Sequence, residues 1–151
     1  MSKPVSRATV EAFYRAYGAR DIARAAAYIA DDVEWSISGP IDVLPFCGVY
    51  RGKAAVLDMM ERVVPRVFDI VKFEASAMLI DGDRVATLNR LSAEHKGDGR
   101  IISYRLAHFM RFRDDKVAEN LSLLDSFDAV EQVLGHSLTA HEPALGDLIA
   151  V

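Results

Sequence analysis

Apolar residues recur at every second position along residues 100–113, with Tyr104, Leu106, Met110 and Phe112 in phase and His108 among them. That period of two is the signature of a strand with one buried face. A second strand-like run covers residues 117–126, and the polar turn Asp114-Asp115-Lys116 separates the two. Residues 68–80 and 84–95 read as two earlier strands. Asp81-Gly82-Asp83 joins these as a hairpin turn, and Lys96-Gly97-Asp98-Gly99 leads on to the next strand. Turns this short predict an antiparallel meander, because parallel neighbours need long crossovers. Runs longer than the usual ~5–6 residues predict a strongly twisted, curved sheet.

Upstream the period becomes helical. Residues 5–19 place Val5, Ala8, Ala12, Phe13, Ala16 and Tyr17 on one face, with Gly18 near the stop. Asp21 is placed to cap a short second helix bearing Ile22, Ala25, Ala26 and Ile29. Residues 33–38 follow as a strand, then a loop punctuated by Gly39-Pro40, Pro45, Gly48 and Gly52. Residues 53–64 return to helical spacing, and Pro65 ends or kinks that helix. Asp128, with Glu131 as its capping-box partner and Gly135 as the stop, predicts a closing helix. The order predicts an α+β fold in which helices from the first half cover one face of a curved antiparallel sheet. The inside of such a cone is either filled or hollow.

The chain has 151 residues, enough for one domain with a substantial core. We expect that domain over residues 1–138 and a C-terminal tail over 139–151. A 51% hydrophobic content describes a globular protein with apolar residues to spare for a core, a pocket and a dimer face, and a net charge of −4 argues against nucleic-acid binding. No apolar run approaches the ~20 residues of a membrane span, and no signal-like segment opens the chain. Cys47 is the single cysteine, so no internal disulfide forms, and the cytoplasm is the expected compartment.

Asp125 is the first candidate for chemistry, since a charge where a strand leaves an apolar interior is costly unless it is paired or used. It is a functional carboxylate, a cap for the final helix, or the partner of Arg90. His108, on the apolar face of its strand, is either a buried titratable group within reach of Asp125 or a satisfied core histidine. Trp35, Phe46 and Tyr50 suit pocket walls or plain core, and Tyr14 and Tyr17 carry hydroxyls on the first helix. The four histidines lack the close spacings of a zinc site, and no phosphate-binding glycine loop is present, so no metal and no cofactor are expected.

The ordered set Phe13-Tyr14 through Asp21, Ala30-Asp31-Asp32-Val33-Glu34-Trp35, Pro45 through Gly52, Asp114-Asp115-Lys116-Val117 and Leu124-Asp125-Ser126-Phe127-Asp128 resembles the SnoaL-like, ketosteroid-isomerase-like group of the nuclear transport factor 2-like superfamily. The resemblance implies a cone-shaped α+β barrel, usually dimeric, with an apolar pocket. It also matches Asp125 to an aspartate used for acid–base work by polyketide cyclases of the group. Arg90 and Ser92 fall on the Arg-x-Asp pair of limonene epoxide hydrolases, but serine cannot supply the proton that opens an epoxide. Ile37 and Phe13 replace the base and the oxyanion-hole tyrosine of steroid isomerases. The expectation is a homodimer binding a small hydrophobic, oxygenated molecule, with cofactor-free isomerisation, cyclisation, dehydration or hydrolysis as the activity. Asp125 and His108 would be catalytic, and Arg90, Trp35, Tyr17, Tyr14, Phe46 and Tyr50 would bind substrate. A ligand-binding protein without turnover is the alternative, as is a cone filled by its own side chains. A cavity of ~300 Å³ or more would favour binding. Dimerisation is expected through the outer face of the late strands, where Ile101, Ala107 and Phe109 alternate with Arg105, Arg111 and Arg113.

Overall fold

The computed structural model describes residues 3–138; the expected tail at 139–151 lies outside the described residues. The meander forms as the alternation requires. Strands β3 (Phe68–Asp81), β4 (Arg84–His95), β5 (Ile101–Arg113) and β6 (Lys116–Leu124) pair antiparallel in sequence. Burial on β5 alternates residue by residue, with Tyr104, Leu106, His108, Met110 and Phe112 inside. The β5–β6 turn holds both Asp114 (φ 51°) and Asp115 (φ 61°) in the left-handed region, the geometry that matches the twist of a tight hairpin.

Two further strands, β1 (Ile29–Ser38) and β2 (Gly48–Arg51), extend the sheet to the order β2-β1-β6-β5-β4-β3. β1 runs parallel to β6, the one parallel pairing among the described residues; the others are antiparallel. The sequence reading started β1 four residues late and left β2 inside the loop. A four-residue strand between glycines carries too little period to be seen.

Helix α1 (Arg7–Gly18) is capped by the Ser6 hydroxyl, which accepts from Thr9 N, and it buries Val10, Phe13, Tyr14 and Ala16. Asp21 caps α2 (Ile22–Ala26) as expected. The third helix, α3 (Lys53–Asp58), is shorter than its pattern. It passes through a wider π-type turn at Met59–Val63 and a tight 3₁₀ turn at Val64–Arg66, where Pro65 cannot donate to the preceding turn. The cap of helix α4 (Ser126–Leu134) lies three residues before the expected one, so Asp125 and not Asp128 stands at its N-cap position, without a capping hydrogen bond from its side chain. Asp128 instead accepts from Gln132, and Glu131 accepts from Leu138 N. The core lies between the helices and the inner face of the sheet, around Phe13, Trp35, Phe68, Tyr104 and Phe112.

Candidate functional site: a buried histidine at the floor of an apolar cavity

Strand phase decides which side chains reach the interior. On β4 the inward set is Val85, Thr87, Asn89, Leu91 and Ala93; on β6 Asn120 and Ser122 are buried, with Leu124 next in phase. Cross-strand register sets His108 between Thr87 on β4 and Ser122 on β6. Four polar residues of these strands, Thr87, Asn89, Asn120 and Ser122, are therefore buried beside the imidazole.

The imidazole is held from α1. Tyr14 Oη lies 2.8 Å from His108 Nδ1 and 2.7 Å from Thr87 Oγ1. Asn89 Nδ2 donates to Thr87 Oγ1 at 2.9 Å and to the Leu106 carbonyl at 3.3 Å. A carbonyl oxygen only accepts, so the amide must turn its nitrogen towards Leu106. Thr87 then accepts from Asn89 and sends its own proton to Tyr14, and of the two acceptors left for the Tyr14 proton His108 Nδ1 at 2.8 Å is the stronger, the Met110 thioether lying at 4.0 Å. This direction gives the Thr87 and Tyr14 protons an acceptor each, and it puts the imidazole proton on Nε2. Asn89 Oδ1 and Asn120 Oδ1 are buried without hydrogen-bond partners among the described residues.

Aromatic rings enclose the histidine: those of Tyr14, Phe73, Tyr17 and Trp35 have centroids 5.8–6.4 Å from its own. Burial among them disfavours the charged form and lowers the His108 pKa from 6.5 to about 4, so the ring is neutral near pH 7. Burial likewise raises the phenols of Tyr14, Tyr17 and Tyr104, which stay protonated.

His108 and Ser122 lie at the wall of an inner cavity of about 40 Å³, lined also by Tyr17, Arg20, Trp35, Phe46 and Met60 among others. The space would hold a water or two and falls well short of ~300 Å³. In this state the cone is mostly filled by its own side chains. With Nδ1 committed to Tyr14, the Nε2 edge is the one left for the cavity. Ser122 Oγ accepts from Asn120 Nδ2 at 2.9 Å, so its own proton remains available. The arrangement offers hydrogen-bond donors to an oxygen atom, and the lining contains no carboxylate.

Trp35, Tyr17 and Phe46 line this cavity, whereas Tyr14 stands behind His108 as its anchor. Tyr50 is half-buried and donates to the Phe46 carbonyl at 2.8 Å, bracing the wall from outside. Two expectations about charge fail on strand phase. Arg90 follows inward Asn89, so it points outward, is exposed, and donates to Ser103 at 3.2 Å. Asp125 follows Leu124 and pairs with Arg105 at 3.6 Å, its side chain 38% exposed. The expected Asp125–His108 and Asp125–Arg90 pairs are not formed. Thr87, Asn89 and Ser122 were missed, although the alternation Val85-Thr87-Asn89-Leu91 carried the signal for the first two.

Among the described residues no cluster of His, Cys, Asp and Glu could hold a metal ion. No helix of the described residues is long and apolar enough to cross a membrane. The lone Cys47 is buried, and burial pushes its thiol up to about 11.

Comparison with known proteins places the fold. A candidate isomerase from Rhodopseudomonas palustris is 35% identical, with a TM-score of 0.72 over 84% of this chain and 93% of that one. A nuclear transport factor 2-like protein from Burkholderia thailandensis is 25% identical, with a TM-score of 0.72 over 83% and 94%. A protein of ketosteroid isomerase-like fold from Catenulispora acidiphila, solved with trimethylamine, is 14% identical with a TM-score of 0.69 over 87% and 95%, a likeness of fold alone. No curated protein matches. The SnoaL-like domain pattern matches residues 10–120, and with it the chain belongs to the SnoaL-like domain family.

Proposed function

We propose that the protein binds a small apolar carbonyl compound and polarises its oxygen through neutral His108. The observation that carries this reading is the hydrogen-bond chain Asn89–Thr87–Tyr14–His108, which orients Nε2–H as a donor within an apolar wall. A fixed donor in a water-poor site stabilises charge developing on a carbonyl oxygen far better than water does. Ligand entry requires the cavity to widen, and Met59 and Met60 at its edge are the adaptable side chains for that. Titration with carbonyl-¹³C butyrophenone tests the reading by infrared spectroscopy. The bound carbonyl stretch should move to lower frequency in the native protein and return towards its solution value in His108→Leu. An unshifted stretch in the native protein would sink the proposal.

Proton transfer on the same ligand is a second reading, favoured by the 35% likeness to the candidate isomerase. His108, as the Nε2–H tautomer, would act as the acid. Asp125 would then be the base, reached only if the β6 end of the cone opens past Leu124.

We also propose a homodimer formed through the outer face of the sheet. Leu79, Phe109, Leu121 and Val49 lie in one cross-strand row with Ala86 and Ser36, and Leu88 and Leu123 flank it; all six large side chains are exposed. The arginines of this face are not free charges that would oppose association. Arg111 pairs with Glu119, Arg113 with Asp32 and Arg105 with Asp125.

A further inference from the structure

Arg20 occupies a backbone position that suits glycine. It follows the C-cap residue Ala19 of α1 with φ 57°, and the helix closes by Arg20 N donating to Tyr17 O (3.1 Å) and Asp21 N to Ala16 O (3.0 Å). That pair of bonds is the Schellman motif, whose left-handed residue is most often glycine. A β-carbon there is conformationally unfavourable, so the side chain invites a functional explanation.

The side chain runs from this turn to the cavity mouth. Its Nη2 donates to the Met60 carbonyl at 3.2 Å, within the π-type turn, and its Cζ stands 5.6 Å from the Tyr17 ring centroid. Arg20 lines both the inner cavity and an open outer recess of about 330 Å³; Met60, Phe68 and Ile70 are shared between the two. Among the described residues no carboxylate is paired with Arg20. Of the acids in the outer recess, Asp69 is held by Lys96 at 3.2 Å, and Glu61 is exposed at its rim. A guanidinium at an apolar mouth, with a carbonyl and a ring as its neighbours, retains donors for a planar anion.

We propose that Arg20 binds a carboxylate of the ligand, so that the site takes a small apolar oxo acid, its carbonyl towards His108 and its acid group at the mouth. The proposal rests on the carbonyl-binding reading above and names the ligand class within it. Both anchors neighbour Tyr17, whose ring centroid is 6.1 Å from that of His108 and 5.6 Å from the Arg20 guanidinium carbon, so one small ligand packed against Tyr17 has both within reach.

The test compares 3-benzoylpropionate with its neutral primary amide by isothermal titration calorimetry. The native protein should bind the acid at least tenfold more tightly than the amide. Arg20→Met should abolish that preference, bringing the affinities for acid and amide within about twofold of each other. Arg20→Gly serves as the second variant, because glycine accepts the left-handed backbone and removes the guanidinium without a folding penalty at that turn. Equal binding of acid and amide by the native protein, or a preference that survives both substitutions, overturns the role of Arg20 and leaves the carbonyl pocket standing. If neither compound binds the native protein, both readings are overturned.

Discussion

Tyr14 on the first helix and His108 on the fifth strand, 94 residues apart, meet at 2.8 Å through Oη and Nδ1. The contact joins helix to sheet and sets which imidazole nitrogen carries the proton. It makes the histidine a donor towards the cavity, which is the opposite of the base that an Asp125–His108 pair would have produced.

Removing that contact should be costly twice over. Tyr14→Phe leaves Thr87 and His108 Nδ1 buried without their partner, and stability should fall by about 1–3 kcal/mol. In ¹⁵N spectra the histidine should lose its single Nε2–H tautomer. A mutant that keeps both the melting temperature and the tautomer would exclude Tyr14 as the orienting group.

Acid should destabilise the fold through His108. The folded pKa, about 4, lies below the 6.5 of an unperturbed histidine, so the unfolded chain takes up the proton first as pH falls. The contribution is complete above pH 6.5 and is lost downward through about pH 4, an effect on the order of 3 kcal/mol. Urea denaturation across this range, compared with His108→Phe, separates the histidine's effect from that of carboxylates such as Asp98, which the Arg100 guanidinium holds down to about 2. Parallel pH profiles for the two proteins would contradict the assignment.

Asp125→Asn separates the two readings of the site. The ion pair with Arg105 is largely solvated (side chains 60% and 38% exposed), so its loss should change stability by less than about 1 kcal/mol. Affinity for a carbonyl ligand should be unchanged. If an isomerase activity is found and falls by ~10²-fold in this mutant, the base of the second reading is identified.

The β5–β6 turn offers a stabilising substitution. Asp115 sits at φ 61° and, among the described residues, makes a solvated 3.9 Å pair with Lys3. Asp115→Gly removes the left-handed penalty and should raise stability by ~0.5–1 kcal/mol in thermal or urea unfolding. No gain would mean that the aspartate is already comfortable there.

Association can be tested on the outer face. Phe109→Glu places a charge at the centre of the exposed apolar row, and sedimentation should change from dimer to monomer with the fold intact by circular dichroism. A native protein that sediments as a monomer at micromolar concentration removes the dimer altogether.

Much of the fold was legible before any coordinates. β4 spans the very residues that its alternation indicated, and the inward set of β5 is the one read from the chain, because a period of two is a local property of a half-buried strand. Capping chemistry located the start of α2 for the same reason: Asp21 and the amide it accepts from are three residues apart. The sequence alone therefore determined the element order apart from β2, the meander and the burial of His108. It also held the phase that sends Arg90 outward, since Asn89 and Leu91 flank it. That phase was obscured by the resemblance to an Arg-x-Asp pair.

What the tertiary structure alone decided is who meets whom. β1 pairs in parallel with β6 across most of the chain, and no short-range pattern encodes a partner so distant. Asp125 lost its expected partners because β6 ends at Leu124 and the chain turns into α4, which brings the carboxylate to Arg105 and not to Arg90. The Tyr14–His108 contact and the position of Arg20 over the cavity mouth both require α1 to be docked on the finished sheet. Side-chain hydrogen bonds act over about 3 Å, so only the assembled core brings these distant residues close enough to form a site.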